Sequence, residues 1–241
     1  MYQIFPDRFA RSDSLSLTQE KLEKKRPDYI FHESWGDKPI HEPDRRTGEV
    51  MNNDFFGGNL AGIVEKLPYL KDLGISVIYL NPIFEAYSNH RYDTGNYHKI
   101  DATLGTNDDF DVLCAEAEKA GMRVILDGVF NHTGSDSLYF NKDGYYDEVG
   151  AYQSKKSKYY DWYQFEEYPE RYTCWWGILT LPNVNESEES YVDYVLRDDD
   201  SVVRRWLCAG WRPPPWNPPR RTGPAPLWRR RPFHGILQRS G

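Results

Sequence analysis

"MRVILDGVFNH", residues 122–132, is the stretch on which the reading of this chain turns. It is a continuous apolar run that breaks abruptly into polar residues at Asp127, Asn131 and His132. An alternating run would mark a half-exposed strand, whereas an unbroken one suits a strand buried on both faces of a parallel sheet. Its polar end would then stand at the carboxyl edge, where active sites of such sheets gather.

Upstream, the same pattern recurs. "TNDDFDVLCAEAEKAG" (106–121) starts polar, carries acids in its first turn and closes on Gly121, with an apolar stripe of Phe110, Leu113, Cys114 and Ala117. Those are the marks of an amphipathic helix. "SVIYLNPIF" (76–84) is a β-branched and aromatic strand halted by Pro82, with Asn81 just after it. "NLAGIVEKLPYLKDLG" (59–74) places Leu60, Ile63, Leu67, Leu70 and Leu73 at helical steps, with Pro68 a local irregularity and Gly74 a C-cap. "YQIFPDRF" (2–9) is a first short strand ended by Pro6. Strand, helix, strand, helix, strand is the signature of a parallel α/β sheet, with central strands near 2–5, 76–81 and 123–128. Nucleotide-binding glycine loops of the G-x-G-x-x-G or G-x-x-x-x-G-K-[ST] kind are missing, so nucleotide chemistry is a weak reading.

Beyond residue 132 the α/β rhythm stops. Residues 133–195 form an inserted subdomain rich in Tyr, Trp, Asp and Glu, as in "YYDWYQFEEYPERYTCWW" (159–176). Rings interleaved with acids suit carbohydrate, although most of these rings are expected to build the subdomain's own core. The 241 residues carry a formal charge of −7, yet Ala209–Gly241 alone carries +7, leaving −14 on residues 1–208. A body so acidic is a poor partner for nucleic acid. Three scattered cysteines argue against a disulfide scaffold and a cysteine zinc site. No apolar run reaches membrane-spanning length, and the opening "MYQIFPDRFARSD" lacks a signal-peptide pattern, so a cytoplasmic location without membrane partners is the expectation.

These residues together resemble the α-amylase family of glycoside hydrolases, in its neopullulanase, cyclomaltodextrinase and maltogenic-amylase branch. "YQIFPDRF", "FFGGNLAGIVEKLPYLKDLGISVIYLNPIF", "SNHRYDTGNYHKIDATLGT" and "DGVFNH" match that branch in order, and "LPNVN" (181–185) is similar to its inserted-domain motif. The resemblance implies a (β/α)8 barrel, of which residues 1–132 would supply about three β/α units. It implies a retaining hydrolase of α-1,4 and α-1,6 glucans such as cyclodextrins, pullulan, starch or maltooligosaccharides, often homodimeric at full length. It also implies site roles: Tyr92 stacks on the sugar where the bond is cut, His132 binds its primary hydroxyl, and Asp127 orients an arginine, matched here by Arg212. Asp93 ties the loop to the barrel by pairing with a cation, and Asn131 supports the site. Calcium is held by some members near the first strand. Here the loop reads "ARSDSLSL", whose Arg11 would repel a dication, so neither calcium nor any other cofactor is expected.

The catalytic carboxylates are another matter. The family cuts with an aspartate nucleophile and a glutamate acid/base about 5–5.5 Å apart. "SVVRRWLCAG" (201–210), within a segment 196–210, resembles the helix leading to the fourth strand, but "GWRPPPWN" follows where G-W-R-L-D-V is expected. Pro214 stands at the nucleophile's place, and no Asp or Glu occurs after Asp200, so no catalytic residue can be assigned. Residues 211–241, with eight of the chain's sixteen prolines, read as an aberrant tail without strands, produced by a frame change near Gly210. A genuine Pro-rich linker and a basic nucleic-acid-binding tail are the alternatives. Two functions therefore stand side by side: an α-glucan hydrolase represented by an inactive chain, and a non-catalytic glucan-binding or regulatory fragment.

Overall fold

Three short apolar runs lie side by side and point the same way. The structure is a computed structural model that describes residues 1–15, 17–41, 43 and 50–206, and the backbone of 235–237. In chain order the strands and α-helices are β1 (Tyr2–Ile4), α1 (Gln19–Lys25), β2 (Ile30–Phe31), β3 (Asp54–Phe55), α2 (Leu60–Glu65), α3 (Leu67–Asp72), β4 (Val77–Leu80) and β5 (Phe84–Ala86). There follow β6 (Thr94–Ile100), α4 (Asn107–Lys119), β7 (Arg123–Gly128), β8 (Phe165–Glu167), β9 (Arg171–Tyr172), α5 (Glu189–Val192), α6 (Val202–Trp206) and β10 (Gly235–Leu237).

The main sheet has the order β1-β4-β7-β10. β1 runs parallel to β4, with Tyr2 opposite Ile78, and β4 runs parallel to β7, with Leu80 opposite Leu126. The three expected central strands are thus present in the expected order. Ile4, Ile78, Leu80, Val124 and Leu126 are buried in one core with the inner faces of α2, α3 and α4. Parallel pairing puts every strand's carboxyl end on one edge, which is what gathers the polar loops together.

The helices show why the sequence folds this way. α4 begins in a capping box, Thr106 accepting from the Asp109 amide while the Asp109 carboxylate accepts from the Thr106 amide at 2.7 Å. The predicted stripe Phe110, Leu113, Cys114 and Ala117 is its buried face. The single helix expected over 59–74 is instead two, broken at Lys66. Pro68 lacks the N–H a continuous helix would use, and it sits in the first turn of α3, where that donor is dispensable. Gly74 then ends α3 at φ 73°, as its C-cap position requires.

The tail departs from expectation. Residues 235–237 form β10, antiparallel to β7, with Ile236 opposite Asp127 and Leu237 opposite Leu126. The free edge of β7 offers unpaired N–H and C=O groups, and the short apolar triplet Gly-Ile-Leu satisfies them. The direction of pairing is opposite to that of a (β/α)8 neighbour. Residues 211–225, including the proline run, lie outside the described residues.

Residues 133–195 pack their rings onto the sheet's own core. Tyr139, Phe140, Tyr159, Trp162, Tyr163 and Tyr191 are buried within the same cluster as β4 and β7. Tyr97 Oη donates to the Val129 carbonyl at 2.5 Å and Tyr191 Oη to the Phe130 carbonyl at 2.8 Å, so buried phenols cap the end of β7. α6 docks through Trp206, whose Nε1 donates to the Tyr97 carbonyl at 2.6 Å between Phe84 and Phe110.

One backbone contact offers a test of this packing. A Cβ on Gly62 would lie 2.2 Å from the Ala10 carbonyl oxygen, where no flexible side chain can give way. Gly62→Ala is expected to cost about 2 kcal/mol or more in urea denaturation. An unchanged midpoint would show that α2 does not lie against the loop after β1.

Candidate functional site

The loop that joins β5 to β6, residues 87–93, hangs over the carboxyl ends of β4 and β7. Within it Arg91 adopts a left-handed φ of 61° while fully buried. Its guanidinium donates to the Asn89 carbonyl and to Thr103 Oγ1, both at 2.5 Å, and lies 3.7 Å from Asp101. Lys25 and then Arg91 hold the Asp101 carboxyl well below the usual range despite its burial. This internal clamp folds the loop back on itself and turns Tyr92 toward the sheet.

Tyr92 reaches Asp127. Its hydroxyl donates to Asp127 Oδ2 at 2.9 Å, joining the loop to the last turn of β7. Tyr79 on β4 faces the same carboxylate, and its phenol is pushed up to about 12 by burial and by the Asp127 charge. Tyr92 is raised further for the same two reasons. Tyr79 pairs with Ile125, and Asp127 lies two residues on, so period-2 alternation puts the two side chains on one face.

His132 completes the cluster. It is 4% exposed, and among the described residues neither ring nitrogen makes a hydrogen bond of good geometry. Burial depresses it to about 4; the backbone of Tyr92 opposes this and the neighbouring His90 adds to it. The ring is neutral at pH 7, with one nitrogen a donor and the other an acceptor. Trp175 packs against it with centroids 5.4 Å apart. His90 is also depressed to about 4 by burial and then by Arg91. Its Nδ1 meets the Tyr92 amide at 3.1 Å and Ser88 Oγ at 2.9 Å.

The structure thus brings Tyr92, Asp127 and His132 to one edge. Asn131 contributes its carbonyl, which accepts the Val184 amide at 3.0 Å. That bond and the Thr133 amide to the Pro182 carbonyl, at 3.2 Å, fasten "LPNVN" along the residues after β7. Asp93 is a correction. No cation pairs with it among the described residues; it accepts the Ser88 amide at 3.0 Å and the Ser88 hydroxyl. Arg91, its chain neighbour, is committed to Asn89, Thr103 and Asp101, so burial without a counter-charge raises the Asp93 carboxyl. Arg212 lies outside the described residues. Sequence reading missed Tyr79, His90 and Trp175. Strand alternation carried a signal for Tyr79, but nothing local marked Trp175, which arrives from the subdomain.

The oxygens near the first strand do not fit calcium. Arg11 donates to the carbonyls of Phe56 at 2.5 Å, His32 at 3.2 Å and Glu33 at 3.3 Å. Asn59 Oδ1 is taken by the Ser12 and Gly62 amides, and Asp7 by those of Phe56 and Gly57. Among the described residues no cluster of three or more His, Cys, Asp or Glu could hold a metal. No described helix is long and apolar enough to cross a membrane.

Comparison with known proteins identifies the family. The family profile "Alpha amylase, catalytic domain" matches residues 3–199, and the chain belongs to that family. It is 45% identical over 238 residues to an amylopullulanase of Thermoanaerobacterium saccharolyticum, covering 88% of this chain and 18% of the relative. To an intracellular maltogenic amylase of Bacillus subtilis (strain 168) it is 37% identical over 217 residues, covering 88% and 32%. A solved structure of the cyclic α-maltosyl-(1→6)-maltose hydrolase from Arthrobacter globiformis, in complex with that sugar, superposes with TM-score 0.64 at 33% identity, over 86% of this chain and 40% of that one. The chain therefore spans less than half the length of these proteins. Its α/β fold is the first part of the family's (β/α)8 barrel, and no closed barrel forms among the described residues.

The buried histidine gives a pH test with a definite sign. Above about pH 6.5 the ring is neutral in both folded and unfolded chains; from there down to about 4 only the unfolded chain takes up the proton, so stability falls. The loss is complete once pH has passed below the folded value, and amounts to about 3 kcal/mol at most. Asp136, pushed up to about 6 by burial and by Asp93 against the pull of Arg26, acts in the opposite sense. It is common to parent and variant, so the difference isolates the ring. His132→Gln is expected to flatten the fall in urea-unfolding free energy between pH 6.5 and 4 relative to the parent; parallel curves would mean the ring is not held neutral.

Proposed function

We propose that this chain carries the sugar-binding edge of an α-glucan glycoside hydrolase and binds α-1,4 or α-1,6 glucan without cutting it. The observation that carries the proposal is the buried ring of His132 beside Tyr92, whose nitrogens make no hydrogen bond of good geometry among the described residues. A buried polar group without a partner costs free energy unless a ligand supplies one. A neutral imidazole that can donate at one nitrogen and accept at the other matches a sugar hydroxyl, which does both. Tyr92, pinned through its hydroxyl to Asp127, offers a ring face at fixed orientation, and stacking on such a ring loses little entropy. Asn131 and Asp93 support this edge through the backbone after β7 and the turn at Ser88.

Hydrolysis is a separate question. A retaining mechanism needs one carboxylate as nucleophile and a second carboxyl as acid/base. No Asp or Glu follows Asp200, where the family's two would lie. Asp127 already accepts the Tyr92 hydroxyl, which lowers its nucleophilicity and holds it beside that ring. We read the residues after Gly210 as out of frame, with Arg212 the last match to the family motif, and place the protein in the cytoplasm with an α-glucan as its partner. Neither membrane nor nucleic acid is a partner in this reading, and no metal or other cofactor takes part. Homodimerisation belongs to the full-length relatives the sequence resembles.

The test compares the 241-residue chain with Tyr92→Ala and Asp127→Asn. Against maltooligosaccharides at high protein concentration we expect no product from any of the three. In calorimetric titration Tyr92→Ala should weaken maltose binding about tenfold, the loss expected for one stacked ring. Turnover by the parent that Asp127→Asn abolishes would make Asp127 the nucleophile and overturn the proposal.

A further inference from the structure

One large apolar side chain stands where folding gives no reason for it. Trp176 is 85% exposed and holds a left-handed backbone, φ 51° and ψ 28°. That conformation is unfavourable for a bulky residue and persists only where its surroundings impose it. Here they do. The Trp175 amide donates to the Leu181 carbonyl at 2.9 Å, and the Ile178 amide to the Trp175 carbonyl at 3.0 Å. Tyr172 Oη also donates to the Leu179 carbonyl at 2.8 Å. The tip of the loop is therefore prebuilt rather than adaptable. Its indoles stack nearly flat, centroids 4.8 Å apart at 6°, and Trp175 in turn packs against His132.

We propose that Trp176 is the platform for a further glucose unit, extending the site at His132 outward along a bound α-glucan chain. The inference rests on the sugar-binding reading of that edge and adds to it a specificity for chain length. An indole aligned with a second indole, one face turned to solvent, presents the flat apolar surface that a pyranose C–H face covers. Ile178 and Leu179, 43% and 59% exposed on the same loop, widen the apolar patch. Because three hydrogen bonds hold the loop before binding, little ordering cost opposes the contact. A short sugar held at His132 would not reach this ring, whereas a longer one would cover both.

The experiment is calorimetric titration of the 241-residue chain and its variants with maltose and with maltoheptaose, alongside melting curves and sedimentation. Trp176→Ala and Trp176→Gly should each weaken maltoheptaose binding about tenfold and maltose binding no more than about twofold, with Trp176→Phe close to the parent. Trp176→Gly, which relieves the left-handed strain, should melt no lower than the parent. Maltoheptaose affinity unchanged in Trp176→Ala but reduced in Tyr92→Ala overturns the inference and leaves the site reading intact. A parent that binds neither sugar overturns both. Loss of self-association in Trp176→Ala with glucan affinity intact would make the patch a protein contact and overturn the inference as well.

Discussion

The hydrogen bond from Tyr92 to Asp127 is the joint on which the functional edge depends. It spans from a loop to a strand, and each end is separately braced. Asp127 is fixed by the parallel register of β4 and β7, which sets Tyr79 on the same face. Tyr92 is fixed by the Arg91 clamp and by His90, which accepts its amide. Charge-assisted bonds of this kind are stronger than neutral ones and are directional. Release of either end would leave a half-buried ring without orientation and a carboxylate facing an empty loop. His132 sits within reach of the same joint because the backbone after β7 is sewn to "LPNVN".

The aromatic segment serves two purposes that composition alone does not separate. Most of its rings are core: Tyr139, Trp162 and Tyr163 are buried against β6 and the end of β7. Trp175 and Trp176 differ: Trp175 packs against His132, and Trp176 stacks on Trp175 and faces solvent. One segment therefore stabilises the sheet with its buried face, and in the proposed reading its tip furnishes part of the sugar-binding edge. This economy explains why so aromatic an insertion contains so little regular structure. Side-chain phenols, rather than a ladder, satisfy the carbonyls of Val129 and Phe130.

The fold was legible where local and long-range forces agree. The run 122–132 and the stripe from Phe110 to Ala117 each permit one burial pattern, and both appear as read. Asp127 and His132 could be picked out as the polar end of a buried strand, whereas Tyr92 was named through the family resemblance of "SNHRYDTGNYHKIDATLGT". Among the described residues Asp93 meets Ser88 rather than a cation, because Arg91 is committed to Asp101 and Thr103. The break at Lys66 was foreshadowed by Pro68, but whether a proline kinks a helix or starts a new one depends on how its preceding turn packs. β10 was missed because three apolar residues carry no periodic signal, and the edge they fill is defined by the absence of another strand.

The central claim is that His132 is a neutral, ligand-ready imidazole at a glucan-binding edge. Its ring resonances, observed by NMR in the 241-residue chain as maltotriose is added, test this most directly. The account predicts that both ring nitrogens shift together on binding, one as donor and one as acceptor, at pH 6.5 where the free ring is already neutral because it titrates near 4. A ring that is half protonated at that pH and indifferent to maltotriose would contradict it.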